Sequence, residues 1–140
     1  MRVLALDIGA KRTGVAISDP SARVATPLTV LDARRLLGDG QDLARLLEDY
    51  DDVELIIIGL PMTMSGEPGQ QAERIRVAGD RIAARTRLPV HYVDERLSSV
   101  EAERRMAEAG ADSRARRGSV DMVAASILLQ AYLDSKGTSR

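Results

Sequence analysis

Four carboxylates stand where apolar stretches stop or would exclude them. Asp7 closes an apolar run in LALDIGAKRTGVAISD, Asp94 and Glu95 follow PVHYV, and Asp121 lies early in SVDMVAASILLQAYLD, which is apolar nearly all round. Each has a mundane role open to it. Asp7 can hold a turn through an Asx-type bond, Asp94 or Glu95 can cap a helix, and Asp121 suits a first helical turn. Gathered together they are harder to explain, because carboxylates about 5 Å apart repel by roughly 3 kcal/mol per pair at an effective dielectric near 20. A countercharge is needed. Arg96, Arg114, Arg116 and Arg117 are available, and a hard divalent cation suits an all-oxygen donor set, Mg²⁺ commonly taking one or two carboxylates with water and phosphate oxygens. Such ions activate water and stabilise the leaving oxygen of a phosphodiester. On this reading Asp7, Asp121 and one of the pair Asp94 and Glu95 are the metal ligands, and the four acids together form the catalytic set.

The elements that must position these acids follow from periodicity. RVLALDI and GVAIS flank AKRT as a hairpin, and VATPLTVLD adds a third strand in which Pro27 predicts a sheet edge or a late start. Leu36, Leu37, Leu43, Leu46 and Leu47 have helical spacing, and ELIIIGLP is a strand buried on both faces. MTMSGEPG is a loop, QQAERIRVAGDRIAARTR a helix, and PVHYVD a strand ending at Asp94. Ser98 and Glu101 have the spacing of a capping box for a helix to about Ala109, closed by Gly110. A last helix is expected from near Ser119 to about Asp134.

The order βββαβαβαα makes an α/β fold: a mixed five-stranded sheet, three strands in an antiparallel meander and two parallel to the first, flanked by helices. The central first strand then ends beside the Asp94–Glu95 pair, with the final helix packed across. Because consecutive strand residues point to opposite faces, only one of that pair faces the cluster. Glu95 is our assignment, with Asp94 supporting it or capping the next helix and Arg96 contacting phosphate.

Composition narrows the function. The 140 residues suit a single domain, 1–136, with a flexible tail at 137–140. There is no cysteine, so any metal site uses oxygen or His91, and His91 lies in a strand pattern that favours packing over catalysis. The N-terminal apolar run is far shorter than a signal core or a membrane span, and a cytoplasmic location with no membrane partner is expected. Net charge of −1 names no partner, and with no Phe or Trp a surface built on aromatic stacking is disfavoured. Lys11, Arg12, Arg96, Arg114, Arg116 and Arg117 are the candidate phosphate contacts, solvated loop charges being the alternative.

Four stretches, LALDIGAKRTGVAISD, IIIGLPMTMSGEPG, VHYVDERLSSVEAE and SVDMVAASILLQAYLD, together resemble the YqgF or RuvX-like family of the ribonuclease H-like superfamily. They occur in the family's order across nearly the whole chain. The resemblance implies a ribonuclease H-like fold and a nuclease dependent on Mg²⁺ or Mn²⁺. Its implied partners are precursor 16S rRNA, processed at the 5′ end, or a four-way DNA junction, with ribosome-assembly particles and a homodimer as further partners. The family's acidic positions fall on Asp7, the DER stretch at Asp94 and Glu95, and Asp121. Thr63 and Ser65 stand where the family often carries asparagine and an acidic or amide residue, and ARRGS replaces a lysine-rich approach to the last acid.

Two other classes compete. A nucleic-acid-binding or ribosome-assembly module would keep the fold without turnover. The opening motif also looks like the phosphate hairpin of actin-like sugar kinases and ATPases, but those need two such lobes and this chain has one.

Overall fold

The computed structural model describes residues 1–63, 65–67, 69–96 and 113–138, with the side chains of 113–119 and 137–138 left aside. Three strands open the chain, β1 (Arg2–Ile8), β2 (Arg12–Ser18) and β3 (Ala25–Asp32). Then come α1 (Ala33–Leu37), α2 (Gln41–Asp49), β4 (Val53–Leu60), α3 (Gln70–Thr86), β5 (Val90–Asp94) and α4 (Ser113–Thr138). The sheet order is β3-β2-β1-β4-β5. β1 pairs antiparallel with β2 and parallel with β4, and β4 pairs parallel with β5. The expected mixed five-stranded sheet with a central first strand is therefore present. Pro27 sits on edge strand β3, opposite Ala16 beside a register shift, where its missing N–H costs least.

Alternation along β1 sorts the core into two layers. Leu4, Leu6 and Ile8 face α1–α3 with Ile56, Ile58, Leu43 and Ile75. Val3 and Ala5 face the other way, against Ala125, Leu128, Leu129 and Leu133 of α4. The helix positions at related offsets from Asp121, namely Ala125, Leu128, Leu129 and Tyr132, thus lie on the sheet.

Three expectations need correction. The leucine-rich segment makes two helices, because Gly40 takes a left-handed φ of 69° and serves as the N-cap of α2. Asp32 caps α1, its Oδ1 accepting from the Arg35 amide at 3.0 Å. The last helix begins at Ser113, well before Ser119, since SRARR has good helical propensity and Gly118 costs only about 1 kcal/mol inside a long helix. At the other end it runs to Thr138, past the expected end near Asp134. The helix expected over 98–109 lies outside the described residues.

Thr13 is fully buried on the α1–α3 side, and its Oγ1 has no hydrogen-bond partner. An unsatisfied buried hydroxyl is costly, whereas a methyl of the same shape is not. Thr13→Val is therefore expected to raise unfolding free energy by about 1 kcal/mol, read by urea denaturation; a loss of stability would show that the hydroxyl is satisfied in solution.

Candidate active site

The same alternation that sorts the core places the acids. Asp7 follows Val3 and Ala5 on the α4 face of β1, and Gly59 follows Leu55 and Ile57 on that face of β4. Beyond β5 the ladder continues by one bond, Glu95 N donating to Leu60 O at 3.2 Å, so Glu95 extends the face begun by Val93. Asp94 has the opposite parity.

Two glycines make room at this end of the sheet. Gly14 is the register partner of Asp7, and a Cβ there would lie 1.9 Å from the carbonyl oxygen of Asp121. The absence of a side chain lets the α4 backbone descend onto β2 beside Asp7. A Cβ on Gly59 would stand 3.3 Å from Glu95 Oε2 and 3.0 Å from Leu128 Cδ2. An isolated glycine within a strand signals such close approach, and that was the legible clue to both positions.

The electrostatics show which acids share the site. Burial first, and the Asp121 charge second, push the Asp7 carboxyl from 3.8 up to about 6. Burial also raises Glu95, with further contributions from Asp7 and then Asp94. Asp7 is thus coupled to both Asp121 and Glu95. Asp121 meets Arg12, whose Nε lies 2.9 Å from Oδ2. That contact lacks hydrogen-bond alignment, and Oδ2 is buried without a hydrogen bond.

Asp94 belongs to a different unit. Its carboxylate takes bonds from Arg96 Nη2 at 2.7 Å and Nε at 3.0 Å, and its Oδ1 accepts from the Arg96 amide. These bonds hold Asp94 below the usual carboxylate range. Arg96 Nη1 then donates to Thr63 O at 3.3 Å, joining the end of β5 to the loop after β4. Inside that loop Thr63 Oγ1 bonds Ser65 Oγ and Glu67 O, and Gly66 N donates to Thr63 O. The two residues that depart from the family pattern therefore build a compact turn of their own. Asp94→Asn is expected to lower stability by no more than about 1 kcal/mol, the pair being partly exposed, while speeding hydrogen exchange at the Gly66 amide. Unchanged exchange there would mean that Arg96 does not hold the loop.

The remaining candidates are placed as follows. Lys11 is exposed in the β1–β2 turn, its carbonyl accepting from the Ala33 amide. Arg114, Arg116 and Arg117 lie in the first turns of α4. His91 is exposed, its Nδ1 3.3 Å from the Tyr132 hydroxyl. Among the described side chains the arginine on Asp121 is Arg12, from β2, and Arg96 serves Asp94, while the side chains of Arg114, Arg116 and Arg117 lie outside them. The packing of α4 onto β2 brings Arg12 and Asp121 together, and their distance in sequence hides that pair.

The donors have the chemistry a hard divalent cation takes: desolvated carboxylates, mutually repelling, with one buried oxygen lacking a hydrogen bond. Among the described residues no three His, Cys, Asp or Glu side chains are arranged so that they could hold a metal ion as they stand. Arg12 is the positive charge at Asp121 in this arrangement.

A sequence profile of the family described as "RuvX: Holliday junction resolvase" matches residues 1–135. The chain belongs to the RuvX family. A protein of Moorella thermoacetica, named as a candidate pre-16S rRNA nuclease, is 44% identical over 137 residues, 98% of this chain and 97% of its own length. A Roseiflexus protein with the same name is 42% identical over 135 residues, 96% of this chain and 95% of its own. The solved RuvC of T. thermophilus, in complex with its Holliday junction substrate, superposes with a TM-score of 0.63 at 16% identity, covering 99% of this chain and 97% of RuvC. At that identity the likeness is one of fold, and it establishes the ribonuclease H-like architecture for this RuvX-family chain. Family description and relatives' names point to different nucleic acids, a junction and a ribosomal RNA precursor.

Proposed function

We propose that this RuvX-family chain is a metal-dependent nuclease that hydrolyses phosphodiesters in structured nucleic acid, and that its substrate is the 5′ extension of precursor 16S rRNA. The observation that carries the reading is the electrostatic coupling of Asp7 with both Asp121 and Glu95 on one face of the sheet. Acids placed so as to disfavour their own ionisation are a common mark of a functional site. The relatives at 40–44% identity with pre-16S rRNA nuclease names support the choice of RNA. Junction resolution, the activity in the family's description, is the second reading; it requires two sites and hence two copies of the chain.

Asp7, Glu95 and Asp121 would hold Mg²⁺ or Mn²⁺. The bound cation would supply neutralisation of developing charge and a more acidic water. The chain's own residues supply the rest. Asp7 is fixed by a central strand paired on both sides, so its carboxylate keeps its place without reorganisation. Asp121 is fixed by the descent of α4 at Gly14, and Glu95 by the closing bond to Leu60. Asp94 and Arg96 hold the loop after β4 against this edge, and Lys11, Arg12 and the arginines opening α4 offer positive charge to the strand's phosphates, a contact that salt weakens. No helix among the described residues is long and apolar enough to cross a membrane, and we place the activity in the cytoplasm.

The test is cleavage of two labelled substrates, a 5′-extended 16S RNA and a four-way DNA junction, in Mg²⁺, Mn²⁺ or EDTA. Metal-dependent trimming of the RNA supports the proposal. Cleavage of the junction alone moves the assignment to resolution, and tight binding with no cleavage under any condition leaves an assembly module.

A further inference from the structure

We propose that Arg12 is a positioning residue with two alternative partners: the Asp121 carboxylate while the acid cluster lacks a divalent cation, and a phosphodiester oxygen of the bound strand once a cation is present. This rests on the reading of the acids as a cation site. It assigns Arg12 a task beyond phosphate contact, that of making cation entry and nucleic-acid binding depend on each other.

The argument begins with a contrast between two ion pairs. Arg96 is held by Asp94 through several aligned hydrogen bonds, down to 2.7 Å, and its third contact ties it to Thr63 O. That unit is closed. Arg12 approaches Asp121 Oδ2 at 2.9 Å without hydrogen-bond alignment, leaving that oxygen buried and unsatisfied. It gives charge without the fork geometry in which a guanidinium binds a carboxylate well.

The backbone of Arg12 is fixed while its side chain is not. Its carbonyl accepts from the Gly9 amide at 2.9 Å, closing the turn after β1, and it stands opposite Asp32 in the β2–β3 ladder. The side chain is 49% exposed. It can therefore leave Asp121 for solvent without disturbing the sheet. A guanidinium keeps its charge at any working pH and has no acceptor, so a dication ligated by Asp121 would repel it. A phosphate oxygen of the strand lying over the acids is the partner then offered, and one that accepts two parallel N–H bonds. Thermodynamic linkage makes the exchange reciprocal: what removes Arg12 from Asp121 favours the cation, and the cation favours Arg12 on phosphate.

The experiment uses the full chain with Mn²⁺ alone as probe, free Mn²⁺ being counted by electron paramagnetic resonance, for wild type, Arg12→Gln and Arg12→Lys, each checked for folding by circular dichroism. Losing the competitor should tighten Mn²⁺ binding by about 5- to 10-fold in Arg12→Gln, within the usual range of site coupling. Arg12→Lys, which keeps the charge, should stay near wild type. In an Asp121→Asn background the glutamine effect should vanish. Anisotropy with the 5′-extended RNA supplies the second arm: the loss of affinity in Arg12→Gln should be about 5-fold greater in Ca²⁺ than in EDTA, and an equal loss in both overturns the exchange. A purely structural Arg12 would not tighten Mn²⁺. Equal or weaker Mn²⁺ affinity in Arg12→Gln overturns the exchange and leaves the cation site standing. Absence of Mn²⁺ binding to the wild type overturns both.

Discussion

Asp7→Asn should be inactive and yet more stable than the wild type at neutral pH. Cleavage is expected to fall by at least about 10²-fold, the scale on which removal of one fixed electrostatic group acts on a charged transition state. The stability effect has the opposite sign. Asp7 titrates at about 6 in the folded protein against an ordinary 3.8, so between those values the folded state holds more proton than the unfolded state. Stability contributed by this group is therefore lost as pH rises through that window. The full difference is worth roughly 3 kcal/mol above pH 6, and a neutral amide escapes most of it. The free-energy difference between Asp7→Asn and wild type should be near zero below pH 4, grow up to pH 6 and stay level beyond. Denaturant melts across pH 3.5–7.5 with EDTA present read it directly. A variant less stable than wild type at pH 7 would refute the assignment of Asp7 as a strained, functional carboxylate, and so would full cleavage in saturating Mn²⁺. The combination of lost activity and gained stability is what a site built against its own stability predicts.

Gly14→Ala should carry the largest structural cost of any single methyl in the chain's active edge. The added Cβ falls 1.9 Å from the Asp121 carbonyl oxygen, and the obstacle is helix backbone, which no rotamer change can move aside. Either α4 lifts from β2 or the central hairpin deforms. Both strip the packing of Ala125, Leu128 and Leu129 against Val3 and Ala5. The expected loss is about 3 kcal/mol, a fall in Tm of roughly 10 °C for a chain of this size. Cleavage should fall with it even at temperatures where the variant is folded, because Asp121 moves with the helix. A Tm within a degree of wild type would mean that α4 does not rest on β2 at this point. The two variants separate cleanly: Asp7→Asn loses chemistry and gains stability, whereas Gly14→Ala loses both.

The fold was legible to the extent that periodicity alone specifies it. Alternation and glycine signals marked the hairpin, Pro27 marked an edge, and continuous apolar runs marked buried parallel strands, so the mixed sheet follows. Where local propensity competes with context, the reading slipped. The last helix, expected from near Ser119, begins at Ser113, and the leucines read at one helical spacing are divided between α1 and α2 at Gly38 and Gly40. The acids stood out because charge at the end of a buried run is costly wherever the chain goes.

The pairings of charge are another matter. That Asp121 meets Arg12, that Arg96 reaches Thr63, and that Gly14 and Gly59 are the spaces into which α4 and Glu95 fit are facts of register and helix descent. Sequence by itself determined which residues carry charge, which segments are apolar enough to be buried and with what period, and hence the fold class and the acids to watch. Only the tertiary structure decided which cation answers which acid, because strand register and helix descent set those distances across residues remote in sequence, and Coulomb and steric energies depend on distance in space.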